Sequence, residues 1–580
     1  MNGIVISNFS VTSPLSNCTI LLRTNRSIYN QRYCVDSSVS FVVRETSRMS
    51  DPVVEVTEGK IRGIAVKNVD GGEYLAFRGI PYAEPPIGNL RFKDPRPPQA
   101  WSGVRDAQNV FPKGVQYDIL LGIQSGSEDC LYVNVATNSL AGKRPVMAWI
   151  HGGGFNSGRP TEGVHEPDYL VKHDIVLVGI TYRLGCFGFL NLDLPDASGN
   201  QALKDQVAAL RWIQKNIGAF GGDPENVTLF GHSSGAASIH LISLSPLTKG
   251  LFHKAILQSG VANNPWTMNP EPVKTGLKLA EETKKKTNDP VEALKHLMTL
   301  STAQLIEAQD RMDDPKDVFE MILSFTPSID AKSNERFMPE YPIEMIMKHG
   351  INVPVIVGFT SDEGIINMLG PEGPPIREIN RDFASYLARN LRIRDVDRLA
   401  KVADRVKKYY FGEYMVSLAE HKNAYAQLKG DVGFVNGVQQ FIDVQSEKST
   451  PTYTYKFSYS PSCPTARKLC KLQIEGSCHC DELNMLFHCT IFGSKTAHAK
   501  GTSDRLIMER ITRMWTDFAK TGNPTPELDE LIPCKWEPIT KDRRNYLEIN
   551  VEMKPGVNVN GASWKFWKPI LETLQWRVGG

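Results

Sequence analysis

Past Pro52 the apolar and polar positions fall into short blocks with two distinct periods. Val53–Glu58, Gly63–Val69 and Glu73–Ile80 alternate in character and are broken by glycine, which predicts an antiparallel opening. Pro145–Ile150, Asp174–Tyr182 and Val227–Phe230 are instead continuously apolar, rich in β-branched residues and ended by turn residues. That is the pattern of strands covered on both faces of a parallel sheet. Between the second and third of these, Leu203, Val207, Leu210 and Ile213 recur at helical spacing and predict a helix over Asn200–Ile217. Lys254–Leu257, Val353–Phe359 and Thr452–Tyr459 read as later strands, and charged helical stretches fill much of Thr275–Gln309 and Asp382–Lys429. Strands alternating with helices predict an α/β fold, a large, mostly parallel central sheet flanked by helices.

Composition narrows the function classes. The chain has 580 residues, 41% of them hydrophobic, enough for a large core. Its 66 basic and 64 acidic residues leave a net charge of +2, which gives no reason to expect nucleic acid or an anionic membrane as a partner. No apolar run approaches the ~18–20 residues of a membrane span. Residues Met1 to Cys34 stand apart: they contain no Asp or Glu and include Arg23, Arg26 and Arg32. This loosely fits a mitochondrial transit segment, whereas the apolar pieces are too short and precede the arginines, unlike a secretory signal. The expected organisation is a poorly structured extension over 1–50, with translation from Met49 as a variant of the same reading, and one domain over 51–580. Among ten cysteines, the late group from Cys463 to Cys534 invites a zinc reading with His479 and His488. Its spacings lack paired C-x-x-C ligands, so no metal or organic cofactor is expected.

The strongest chemical signal is Gly231-His232-Ser233-Ser234-Gly235, a G-x-S-x-G between a strand and an apparent helix. A nucleophile raised on such a turn needs glycines where strand and helix cross closely. Upstream, His151-Gly152-Gly153-Gly154 ends another strand, and successive glycines let backbone N–H groups turn inward to stabilise an oxyanion. The donors are assigned to Gly153, Gly154 and Ser234. A serine hydroxyl needs a base and the base needs orientation. His479, in a Gly-led loop before a predicted helix, is the candidate base; Asp362 and Glu363, after an apolar strand, compete as the orienting acid. Position alone does not separate those two. The order Ser…Asp/Glu…His is that of α/β-hydrolases.

With these residues in view, the chain resembles type-B carboxylesterases, the family that includes cholinesterases, and is most similar to insect α-esterases. Matching stretches run from about Thr57 to Pro538 and include Phe77 to Ala83, Ser127 to Tyr132, the serine elbow, Leu251-Phe252 to Gly260, and Phe518 to Pro524. The resemblance implies an α/β-hydrolase fold and a serine carboxylesterase acting on small-molecule esters, expected to be lipophilic or xenobiotic. It selects Glu363 over Asp362, pairs Arg78 with Glu128, and makes Trp266 an acyl-pocket wall, the plainer alternative being a core aromatic. Three departures accompany it. His232 stands where the family usually has Glu before the nucleophile; Cys130 has no partner cysteine in the preceding loop and is expected free; and the loop from Gln108 to Ser127 holds Phe111 and Tyr117 but lacks the tryptophan that binds quaternary ammonium in cholinesterases. A free Cys130 suits a reducing compartment, so a cytoplasmic location is expected, with mitochondrial targeting or secretion as alternatives. Competing functions are a dedicated hormone esterase, such as one for juvenile hormone, whose branch usually has Gln in place of His232, and a non-catalytic adhesion protein of the neuroligin kind.

Overall fold

The computed structural model describes residues 22–24 and 27–29, and 51–574 apart from 111, 119–122, 162, 371–372, 394–395, 464–471 and 492–495. Met1–Arg44 and Glu45–Gly580 are two separate units. In the first, Leu22–Thr24 and Ser27–Tyr29 pair as a short antiparallel hairpin. The other residues of the expected N-terminal extension lie outside the described residues.

The second unit is built on an eleven-stranded sheet. Its strands are β1 (Ile64–Lys67), β2 (Glu73–Pro81), β3 (Tyr132–Thr137), β4 (Arg144–Ile150), β5 (Val176–Ile180) and β6 (Gly222–His232). They continue with β7 (Lys254–Gln258), β8 (Val355–Thr360), β9 (Thr452–Phe457), β10 (Asn545–Ile549) and β11 (Lys554–Val557). The spatial order is β11-β10-β9-β8-β7-β6-β4-β5-β3-β2-β1. From β10 to β5 every neighbouring pair is parallel, while β11 at one edge and β3, β2 and β1 at the other run antiparallel. The expected parallel block and antiparallel opening are both present; Val53–Val56 and Gly59–Arg62 form a small separate sheet with Val104–Asp106.

Each central strand is apolar throughout because both faces are covered. Along β4, Val146, Ala148 and Ile150 enter one core, and Met147 and Trp149 the other. The first core is closed by helix α1 (Gln201–Asn216), through Leu203, Val207, Leu210 and Ile213, and by helix α2 (Ser234–Leu244), through Ile239 and Ile242. The second is closed by helix α3 (Ser503–Thr521), through Ile507, Met508, Ile511, Met514, Trp515 and Phe518. A buried bidentate pair fixes α1: Arg183 Nε and Nη2 donate to Asp205 Oδ2 and Oδ1 at 2.8 and 2.6 Å.

Candidate active site

Four adjacent parallel strands, β6 to β9, end on one side of the sheet, and the expected Ser233, Glu363 and His479, together with the unforeseen Ser259, follow those ends. Ser233 comes straight after β6, Ser259 after β7, Glu363 three residues after β8, and His479 in the long loop beyond β9. Ligands in such sheets bind outside the carboxyl ends of strands.

Ser233 is held at φ 56°, ψ −124°, an unusual conformation for a residue with a side chain. The turn is anchored by the Ser233 N–H, which donates to Gln258 O at 2.8 Å. Its flanking glycines are required by contact: a Cβ on Gly235 would meet Ile150 O at 2.1 Å, and one on Gly231 would meet the same oxygen at 2.6 Å. The β4 end and the elbow therefore press together, which brings Gly152 beside Ser233. The loop that follows β4 turns around the Gly153 carbonyl, which accepts from Asn156 N, Ser157 N and Ser157 Oγ. Gly153 and Gly154 both have positive φ, 121° and 61°. Among the described residues, neither N–H meets a protein acceptor. Ser234 opens α2, whose first-turn N–H groups have no intrahelical acceptor. His151 is stacked on Tyr182 and buried, which pushes its pKa down to about 4, so it stays neutral.

His479 Nδ1 is 2.5 Å from Glu363 Oε2. The other carboxylate oxygen, Oε1, accepts from Ser259 Oγ at 2.5 Å and Thr360 N at 2.7 Å. Asp362 does different work. It accepts from Ser361 Oγ at 2.6 Å, its N–H donates to Ser477 O, and Gly476 is pressed against its carboxylate, so it fixes the loop that carries His479. Of the two acids, Glu363 is the one in contact with His479.

Several participants were not signalled by the motifs. Ser259 and Gln258 support the acid and the elbow, and Trp515 Nε1 donates to Gln258 Oε1 at 3.1 Å. Phe434, in a single π-helical turn over Asp431–Val435, lies 4.6 Å from the His479 ring, centroid to centroid. Such turns often mark functional sites, but the sequence Asp-Val-Gly-Phe-Val carries no pattern that reveals one. Trp266 is fully buried, donates to Gly433 O at 2.8 Å, and packs between Phe155 and Phe434. It is one aromatic ring removed from His479. His232 is also next to His479, with ring centroids 4.3 Å apart.

The expected Arg78–Glu128 pair is not formed. Glu128 is held in a bidentate pair by Arg91, at 2.7 and 2.6 Å, while Arg78 donates to Gln108 O. The match to family segments marked the right acid but the wrong cation, because Arg91 comes from a 3₁₀ turn thirteen residues further on. Cys130 is free and buried. Phe111 lies outside the described residues, and Tyr117 is exposed. Tyr409, Tyr410 and Phe411 pack on Phe566, Trp567 and Phe383.

A family profile, that of the Carboxylesterase family, matches residues 50–567. This chain belongs to that family. The esterase is 34% identical over 531 residues to Esterase FE4 of Myzus persicae, covering 86% of this chain and 88% of the relative. It is 30% identical to juvenile hormone esterase of Tribolium castaneum, with 88% of each chain covered. The crystal structure of juvenile hormone esterase from Manduca sexta, with OTFP covalently attached, superposes with a TM-score of 0.80 at 27% identity, covering 90% of this chain and all of that one. The carboxylesterase therefore has the α/β-hydrolase fold and is a carboxylic ester hydrolase. No helix among its described residues is long and apolar enough to cross a membrane.

Proposed function

We propose that Ser233 is the nucleophile, His479 the base and Glu363 its orienting acid, in an esterase for uncharged, lipophilic carboxylic esters. The observation that carries this reading is the 2.5 Å contact between His479 Nδ1 and Glu363, made next to His232, the residue that precedes a serine held on a strained elbow. With Nδ1–H directed at the carboxylate, Nε2 is the basic nitrogen. Ser233 Oγ gives its proton to Nε2 and attacks the ester carbonyl carbon. The carbonyl π pair moves to oxygen, where the N–H groups of Gly153, Gly154 and Ser234 hold the charge. Collapse breaks the bond to the alkoxy oxygen, which leaves with the proton from His479. Water then attacks the acyl-enzyme, gives a proton to His479, and the acid departs as Ser233 is restored. No cofactor takes part.

The substrate class rests on two features. The loop from Gln108 to Ser127 contains no tryptophan to face a quaternary ammonium, a contact of up to ~2 kcal/mol when desolvated. Phe155, Trp266 and Phe434 instead give apolar surface near the base. The similarity to Esterase FE4 is consistent with a general esterase. A cytoplasmic location accords with the free Cys130.

The test compares kcat/KM for a naphthyl butyrate and for butyrylthiocholine, with Ser233→Ala and His479→Ala as controls. The expected result is a preference for the neutral ester of roughly thirtyfold, abolished turnover in both variants, and organophosphate labelling confined to Ser233. Preference for the choline ester would defeat the substrate reading and implicate Phe434 as a cation site. Near wild-type turnover by either variant would defeat the triad.

A further inference from the structure

The residue before the proposed nucleophile, His232, and the residue after the proposed base, Cys480, are far apart in sequence but meet in the fold. His232, His479 and Cys480 each offer a ligand atom, and these atoms lie within 4.8 Å of one another. The Cys480 Sγ to His232 Nδ1 distance is 3.9 Å. Two ligands on one tetrahedral zinc stand about 3.3 Å apart for two nitrogens and about 3.6 Å for nitrogen and sulfur. The cluster is therefore within about a side-chain adjustment of a three-ligand site with one open position.

The surroundings also suit a metal. A ligating histidine generally donates its second ring nitrogen to a carboxylate, which fixes its orientation and raises its basicity. His479 has that partner, and His232 faces a second carboxyl group, that of Glu482, without a hydrogen bond to it. His479 Nδ1 is committed to Glu363 Oε2, leaving Nε2 to bind. His232 turns Nδ1 toward Cys480 and Nε2 toward Glu482 Oε1, 3.9 Å away. That Nε2 and Glu482 Oε2 are both buried without a hydrogen-bond partner.

We propose that His232, His479 and Cys480 form an inhibitory site for a borderline or soft divalent cation such as Zn²⁺. The cation displaces the Cys480 thiol proton, which goes to solvent, and bonds to Sγ and to one nitrogen of each histidine. Magnesium and calcium, which prefer oxygen ligands, are excluded. With the cation bound, the His232 Nε2–H donates a hydrogen bond to Glu482 Oε1, closing the present 3.9 Å separation. Binding occupies His479 Nε2, so occupancy and ester turnover exclude each other; this consequence rests on His479 being the base. This donor set differs from the rejected zinc reading of the late cysteines, because the elbow supplies its third ligand in place of His488.

The test titrates the full-length, metal-stripped protein with Zn²⁺ against a chromogenic zinc indicator, with ester hydrolysis followed in parallel. The wild type is expected to bind one Zn²⁺ at its tightest site, Mg²⁺ not to compete, and turnover to fall with occupancy and return on addition of EDTA. Cys480→Ser and His232→Gln should each weaken Zn²⁺ at least tenfold in the indicator titration, which reads binding independently of activity. Wild-type affinity in both variants would overturn the proposal and point to the other candidate group, Cys463, His498 and Asp504. Absence of Zn²⁺ binding up to millimolar concentration would overturn it too. Binding that is lost in both variants, but leaves turnover unchanged, would uphold the metal site and refute His479 as the base.

Discussion

Asp362 and Glu363 are neighbours with the same chemistry, and only one extra methylene and the turn geometry separate their roles. Glu363 reaches His479, with its second oxygen held by Ser259 and Thr360, whereas Asp362 is spent on Ser361 and the Ser477 backbone. Glu363→Gln keeps the shape but removes the charge that stabilises the imidazolium, and its amide can favour the wrong tautomer. The expected loss in kcat is about 10³- to 10⁴-fold. Asp362→Asn should cost about tenfold or less, since it perturbs only the loop supporting the base. Stopped-flow hydrolysis of an activated ester by both variants checks this, and equal losses would erase the distinction. The pair was legible from sequence only to the extent of "one of two acids". Ser233, Gly153 and Gly154 were legible because backbone geometry restricts what can stand there. Phe434 and Ser259 were not, because an aromatic or a hydroxyl has many uses and only tertiary proximity selects one. The same holds for Arg91, which took the place expected of Arg78.

At the scale of elements, strands buried on both faces announced themselves as unbroken apolar runs, and β4 to β9 lie where those runs do. Strand β3 is equally buried but was obscured by Asn134, whose Oδ1 accepts from Gly79 N at 2.9 Å at an irregularity in the pairing with β2. Helix α3 carries the same 3.6-residue period as α1, with Thr502 capping its start and Gly522 its end, so its signal is present in the sequence. What periodicity does not show is how an element is fastened. In α1 the fastening is the Arg183–Asp205 pair, with both side chains excluded from solvent. Asp205→Ala leaves a buried guanidinium without its counter-charge and should cost on the order of 3–5 kcal/mol. Adding Arg183→Met should recover much of that loss, because the apolar side chain needs no partner. Urea melts of the two variants decide the matter; a double mutant no more stable than Asp205→Ala would mean that packing, rather than charge, fastens the helix.

The unit built on the eleven-stranded sheet has its two large cores on opposite faces of that sheet, yet it also encloses ionisable groups whose state sets its response to pH. Asp431, in the π-helical turn beside the site, is one of them. Its Oδ2 accepts from Tyr410 Oη at 2.5 Å and Ser563 Oγ at 2.6 Å, and Tyr410 Oη in turn accepts from Trp567 Nε1 at 2.6 Å. This network ties the turn to the C-terminal helix Gly561–Leu574. Burial raises the Asp431 pKa from 3.8 to about 6, against the lowering effects of Ser563, Tyr410 and the more distant Lys456 charge. Between those two values the folded state holds a proton that the unfolded state has released. Stability from this group is therefore full below about pH 4, declines as pH rises, and is lost above about pH 6. The direction is opposite to that of a salt-bridged aspartate. Asp431→Asn keeps an acceptor for both hydroxyls but has no charge to bury. At pH 7 the variant is expected to be more stable than the wild type, by up to about 3 kcal/mol. At pH 4 the two should be nearly alike. Because other groups titrate in both proteins, the informative quantity is the difference between their stabilities, followed by urea denaturation from pH 4 to 7. A difference that stayed constant, or that shrank as pH rose, would show that the ionised carboxylate is satisfied in the folded protein and that the turn beside His479 owes its position to that charge.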